Sequence, residues 1–280
     1  TVHLCTHFLE NVIDANKYPL PQITDLANRI RRIGLGVMGW ADLLVKLGIP
    51  YHSEDAVELA SKLMRFVDEE AKVESERLAL LRGVFPEWEK SIWGPDETCA
   101  RNAKGERIRP MRRLRNCNLT TVAPTGTISI FAGCSGGIEP LFALSYVRNV
   151  MDNTRLVEVN PYFEEIAKRE GFYSEELMQE LAERGSIHGM VGIPEWVQRL
   201  FVTAHDITPE WHVRMQAPFQ RYTDNAVSKT VNFPHEATVE DVRTVYMLAY
   251  QLGCKGVTIY RDGSKSTQVP MRICFLMATF

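Results

Sequence analysis

None of the six cysteines (Cys5, Cys99, Cys117, Cys134, Cys254, Cys274) in this 280-residue chain forms a C-x-x-C pair. Their scatter argues against a disulfide scaffold and fits a reducing, cytosolic setting. No uninterrupted apolar run approaches the ~18–20 residues of a membrane span, so no membrane partner is expected. Charge of one sign is also missing. The 32 Lys and Arg against 35 Asp and Glu leave a formal net charge of −3, the wrong balance for a general binder of nucleic-acid polymers. Repeats and low-complexity tracts are absent, which sets solenoids aside. What is present is ordinary globular composition, enough for one large domain or two modest ones.

The chain opens at Thr1 on a helical pattern, THFLENVIDANKYP, which reads as a piece cut from a longer protein. Ser53 to Arg82 reads as a long helix. Ser53 is its N-cap, Ala56, Ala60, Leu63 and Val67 form its apolar stripe, and Gly83 is its stop. A polar loop holding Trp88 and Trp93 follows. Asn118 to Val122 (NLTTV) is β-rich, APTGT interrupts it, and ISIFAGCSGGIEP resumes. Residues 160–184 are helical in pattern, and PEWVQRLF and PEWHVRMQ each place proline in a first helical turn. Pro218 falls inside the second of these helices and removes a backbone hydrogen bond. Near the end, SKTVNF (228–233) reads as a strand. A helix follows, capped by Thr238 with Asp241 and burying Val242, Val245, Tyr246, Ala249 and Leu252, and then GVTIY (256–260) as a second strand. Strand, helix and strand make a right-handed βαβ unit with parallel strands, so the class is α/β. The last residues, MRICFLMATF, have no clear period.

Residues 34–39, GLGVMG, match the dinucleotide fingerprint G-x-G-x-x-G. That motif needs a buried strand before the first glycine and an acid about 20 residues on, at the end of the next strand. Here ITDLANRIRRI precedes it, charged and helical in period, and Asp55 sits in the first turn of a helix. The glycines are read instead as a tight turn and close packing where WADLLVKL begins.

A phosphate has a better seat at Pro124 to Ser129, PTGTIS. Glycine frees the backbone, two threonines and a serine supply hydroxyls, and a new element starts. If that element is a helix, its N–H groups face the loop. A plain turn with a hydroxyl cap is the alternative from these six letters. The loop is not a Walker loop, because the G-K-[ST] ending is missing. Residues 101–115 carry seven Lys or Arg against one Glu, and read as a solvated loop or a wall for an anionic substrate. His3 and His7 share a helix face without a third metal ligand nearby. His188, His205, Asp206 and His212 have no nucleophile beside them, so no Ser-His-Asp arrangement is read.

Taken together, these residues resemble a known family. RNCNLTTVAPTGTISIFAGCSGGIEPLFALSY (115–146) is similar to the substrate-phosphate segment of ribonucleotide reductase catalytic subunits. FLENVIDANKYPLPQI and RRIGLGVMGWADLLVKLGIPYHSEDA resemble the stretches upstream of that segment. HVRMQAPFQRYTDNAVSKTVNFP and GCKGVTIYRDGS resemble those downstream. The resemblance runs to about Gln268. It implies that residues 1–268 are the C-terminal portion of a ten-stranded α/β barrel and leaves 269–280 as an unassigned tail. In this family a cysteine thiyl radical removes the ribose 3′ hydrogen and a cysteine pair then reduces the 2′ position. The resemblance makes Pro124, Thr125, Gly126, Thr127 and Ile128 substrate contacts.

The oxygen-dependent class carries adjacent tyrosines near its C-terminal barrel strand, whereas here Tyr260 follows Ile259. With the P-T-G-T-I loop, the chain therefore resembles the adenosylcobalamin-dependent class. An oxygen-dependent fragment and a non-catalytic nucleotide-binding module are the alternatives. The family's radical cysteine lies in N-x-C-x-E, which neither Cys117 nor Cys134 matches. The C-terminal cysteine pair is also missing, so no catalytic residue is assigned here. The resemblance implies a ribonucleotide substrate, expected to be a ribonucleoside diphosphate, and a dithiol or thioredoxin-like reductant. It also implies an upstream part of the same protein, a homodimer when complete, and a cytoplasmic location. The chain alone is expected to be inactive.

Overall fold

The computed structural model describes residues 1–150 and 154–264. The chain divides into two compact units, each stitched from three stretches. One comprises Thr1–Gly36, Ala60–Ala123 and Phe219–Val227; the other comprises Val37–Leu59, Pro124–Pro218 and Ser228–Phe280. The tail at 269–280 lies outside the described residues.

The first unit opens with α1 (Val2–Ala15) and α2 (Pro21–Ile30). Helix α3 (Trp40–Leu47) belongs to the second unit, and α4 (Glu54–Arg82) runs from the second into the first. The Ser53 hydroxyl accepts the Ala56 N–H at 3.2 Å, and Gly83 ends α4 in the left-handed region at φ +81°. Ala56, Ala60 and Val67 are buried as the stripe requires. Leu63 is only half-buried, and Met64 beside it is buried completely. The polar loop after α4 anchors the first unit's core. Trp88 and Trp93 pack with Ile13, Ile33, Phe85 and Leu114. Their indole N–H groups donate to the Arg112 and Cys117 carbonyls at 2.7 and 3.1 Å.

Beneath this core lies a charged knot. Glu10, fully buried, accepts from Arg31 Nε and Arg115 Nε, each at 2.7 Å, and from Asn116 Nδ2 at 2.6 Å. The expected NLTTV strand is reduced to isolated parallel bridges, Leu35 with Thr120 and Val122 with Val227. Its partners are short: Leu35 serves both the Leu119 carbonyl and the Thr121 N–H, and the 225–227 segment meets it only in passing.

In the second unit, α5 (Ile128–Ala132) is a short helix where the sequence pattern resumed a strand. β1 (Ser145–Val150) and β2 (Thr154–Val159) pair antiparallel. Then come α6 (Pro161–Glu170) and α7 (Glu175–Arg184), capped by the Asn160 and Ser174 side chains, and α8 (Glu195–Leu200). Pro194 is the N-cap of α8 and stands before its first turn. Pro209 does open α9 (Pro209–Arg221), which accommodates Pro218. Phe163, Leu181, Val197, Phe201 and Leu144 form the core here.

β3 (Thr230–Phe233) and β4 (Thr258–Arg261) flank α10 (Val239–Gln251) and pair in parallel, Thr230 opposite Thr258 and Phe233 opposite Arg261. Thr238 and Asp241 form the expected capping box. The buried face of α10 is narrower than its pattern suggests. Val245 and Ala249 pack on Val213, Val231 and Phe233, while Tyr246 and Leu252 are exposed.

Candidate functional site

The GLGVMG stretch shows what its glycines are for. A helix, α2, precedes it where a dinucleotide site requires a strand. A Cβ on Gly36 would lie 1.9 Å from the Thr121 carbonyl oxygen, so that backbone contact exists only because residue 36 has no side chain. Gly39, at φ +78°, is the N-cap of α3. From there the α3 N-terminus grips a segment far along the chain. The Gly39 N–H donates to the Ser135 carbonyl at 2.8 Å, and the Asp42 carboxylate accepts the Ser135 N–H at 2.6 Å.

Ser135 belongs to the arm that follows the PTGTIS loop. Within the loop, Thr125 has φ +54°, a left-handed conformation that a β-branched residue rarely adopts. Gly126 itself is not left-handed, so the unusual backbone falls one residue before the glycine. The Thr125 hydroxyl accepts the Gly137 N–H at 2.6 Å, and the Thr125 carbonyl accepts the Ser129 N–H at 3.0 Å. Ser129, buried, turns its hydroxyl back to the Gly126 carbonyl at 3.2 Å. The loop is tied at both ends and open in the middle. Gly126, Thr127 and Ile128 are exposed, and among the described residues their three N–H groups and the Thr127 hydroxyl have no partner. The Thr127 side chain does not cap α5, so the hydroxyl-cap alternative does not hold for it. With five residues, α5 adds little dipole, and the donors themselves are the feature.

The other end of the arm carries a group that the sequence did not reveal. The Glu139 carboxylate accepts the Thr230 N–H at 2.7 Å and the Lys229 ammonium at 2.5 Å. Lys229 is buried, and its Nζ also reaches the Thr230 carbonyl at 2.6 Å and His212 Nδ1 at 2.8 Å. His212, fully buried, donates from Nε2 to the Ala204 carbonyl at 3.0 Å. Burial first, and the Lys229 charge second, push its pKa down to about 2, so the ring is neutral. Lysine and glutamate lie 90 residues apart, and no local spacing announces them.

The remaining sequence candidates resolve as structural. Much of the basic stretch is neutralised inside the first unit: Arg107 pairs with Asp96, Arg112 with Glu69 and Glu76, and Arg115 with Glu10. His3 and His7 face Glu70 and Glu74, and among the described residues no three potential ligands gather as a metal site. Asp206 is taken up by Ser186 and Thr203. Burial raises the pKa of Cys117, Cys134 and Cys254, the last to about 11, so these thiols are poor sources of thiolate. No helix of the described residues is long and apolar enough to cross a membrane.

Comparison with known proteins places the chain in a family. A family profile described as "Ribonucleotide reductase, barrel domain" matches residues 1–260. The vitamin B12-dependent ribonucleoside-diphosphate reductase of Thermoplasma acidophilum is 51% identical over 269 residues, covering 96% of this chain and 33% of that protein. A protein of the same name from Mycobacterium tuberculosis is 47% identical over 266 residues, covering 95% and 35%. The solved class Id ribonucleotide reductase alpha subunit of Actinobacillus ureae superposes with a TM-score of 0.76 over 94% of this chain and 46% of that one. At 22% identity this is a likeness of fold. The chain thus spans about a third of the length of these curated relatives. Profile, relatives and fold agree, and the chain belongs to the ribonucleotide reductase family as a portion of its barrel domain.

Proposed function

We propose that this chain is a working part of a ribonucleoside-diphosphate reductase and that Pro124, Thr125, Gly126, Thr127 and Ile128 hold the substrate's diphosphate. The observation that carries this reading is the run of three exposed, unpartnered N–H groups at Gly126, Thr127 and Ile128 beside the free Thr127 hydroxyl. A diphosphate needs converging donors of this kind, and the loop offers them without a cationic side chain. Its donors are held in place before substrate arrives, so little ordering entropy is lost on binding.

The reaction is the replacement of the ribose 2′-hydroxyl by hydrogen, with a dithiol or a thioredoxin-like protein as the source of electrons. The vitamin B12-dependent relatives and the lone Tyr260 in β4 favour adenosylcobalamin as the radical source. That cofactor, when bound, supplies a radical by cleavage of its cobalt–carbon bond. The radical cysteine and the reducing cysteine pair, to which no residue of this chain is assigned, belong to the rest of the enzyme, which works as a homodimer.

The test is CDP reduction by the full-length reductase that contains this chain, with adenosylcobalamin and a dithiol and no second subunit. Turnover that depends on cobalamin is expected. Turnover only on addition of a radical-generating subunit would move the protein to the oxygen-dependent class. No turnover under either condition, with CDP still bound, would favour a non-catalytic module.

A further inference from the structure

We infer that Lys229 and Glu139 are positioning residues for the substrate diphosphate: a buried ion pair that sets the shape of the phosphate loop from behind. This inference rests on the reading of PTGTI as the phosphate loop.

Three acceptors converge on Lys229 Nζ: Glu139 Oε2, the Thr230 carbonyl and His212 Nδ1. Three acceptors and no donor match the three protons of an ammonium. Burial pulls the lysine's proton affinity down and Glu139 opposes it. The second Glu139 oxygen takes the Thr230 N–H, so one carboxylate holds both the side chain and the backbone at the entry to β3.

Such a pair is an expensive way to hold two segments together. Removing a lysine from water costs several kcal/mol, and apolar residues of similar volume often replace buried pairs without loss of stability. What the pair adds is fixed geometry, and the fixed segment leads to the loop. The Glu139 N–H donates to the Gly136 carbonyl at 3.1 Å and closes a turn over residues 136–139. Tyr51 clamps that turn by donating to the Ile138 carbonyl at 2.6 Å. Inside the turn, the Gly137 N–H is the donor that the Thr125 hydroxyl accepts. The route from β3 to the loop is thus Lys229 and Thr230, Glu139, Gly137, Thr125. Thr125 holds the left-handed backbone from which the Gly126, Thr127 and Ile128 donors project. Relaxing Glu139 releases Gly137, and Thr125 loses the contact that keeps it in an unfavourable conformation.

The test uses the full-length reductase with CDP and reads KM, kcat, the equilibrium dissociation constant of CDP and the thermal melt. Lys229→Met, which leaves the Glu139 carboxylate without its cation, is expected to melt lower than wild type but to remain folded at the assay temperature, to raise KM and the dissociation constant about ten-fold each, and to leave kcat at saturation, per folded enzyme, within about two-fold. An unchanged KM in a normally folded Lys229→Met enzyme overturns the proposal. So does a fall in kcat that merely follows a loss of folded protein. Should Lys229→Met not fold, Glu139→Gln, which keeps the side-chain volume and an acceptor for Thr230, is read by the same criteria. Gly126→Asp, which sets a carboxylate in the loop itself, separates the two readings. If it leaves CDP binding unchanged, the phosphate loop is misassigned. If it abolishes binding while Lys229→Met does not weaken it, only the positioning role falls.

Discussion

The Thr125 hydroxyl accepts the Gly137 N–H at 2.6 Å across twelve residues, and it does so from a backbone that sits at φ +54°. Bond and strain belong together. Thr125→Val keeps the shape and removes the acceptor, so the loop is expected to relax and the CDP dissociation constant to rise about ten-fold, ~1.4 kcal/mol. Equilibrium binding to the full-length enzyme measures this, and unchanged affinity would show that the bond does not shape the site.

A second expectation concerns acid. His212 is held neutral in the fold at a pKa of about 2, whereas in the unfolded chain it titrates near ~6.5. Between those values the unfolded state binds more protons, so stability falls as pH falls below ~6.5, with a slope of up to about 1.4 kcal/mol per pH unit. The titratable groups around it, Lys229 and His205, lower its proton affinity, and Glu139 reaches it only through Lys229. Urea midpoints measured from pH 7 to pH 4.5 should fall more steeply for wild type than for His212→Gln, which cannot ionise.

Gly36→Ala is expected to cost about 3 kcal/mol or more, because its methyl group would overlap the Thr121 carbonyl and the backbone there must move. Denaturant unfolding reads the loss. The same protein should show no NADH binding in a fluorescence titration, with or without the substitution.

Glu10→Gln is expected to destabilise the fold by about 3–5 kcal/mol, since Arg31 and Arg115 would face a buried amide in place of their shared carboxylate. A substitution that leaves the unfolding midpoint in place would mean the knot is solvated.

The isolated chain exposes Leu80, Phe131, Val191, Val239 and Tyr250 at 80% or more, and it spans about a third of the length of its curated relatives. It is expected to self-associate and to form no deoxyribonucleotide by itself. Sedimentation as a monodisperse, cooperatively melting monomer would contradict the first expectation, and detectable product the second.

Local signals were legible in the sequence and distant ones were not. The Thr238–Asp241 capping box, the Ser53 cap and the parallel β3–β4 pair follow from spacings of a few residues or from period. The GLGVMG decoy was separable because the helix before it has a pattern of its own. The failures also have causes. Asn118 to Val122 has strand composition, but its neighbours are too short to extend a ladder beyond single bridges. Tyr246 and Leu252 fit the apolar period of α10, yet its contact with the sheet is only a narrow stripe. Lys229, Glu139 and His212 are ordinary residues in sequence, and only the fold brings them together. The left-handed residue in PTGTI is the threonine, although the letters point to the glycine.

Each unit is assembled from three separated stretches, and the first is incomplete until Phe219–Val227 has joined it. Shortening the chain from its C-terminal end therefore takes material from both units before either has been freed. During synthesis the same arrangement delays completion of the first unit: its core residues, up to Leu119, are made long before the segment that hydrogen-bonds Leu119, Thr120 and Val122 leaves the ribosome. For that interval the growing chain holds its core residues with one hydrogen-bonded edge still open.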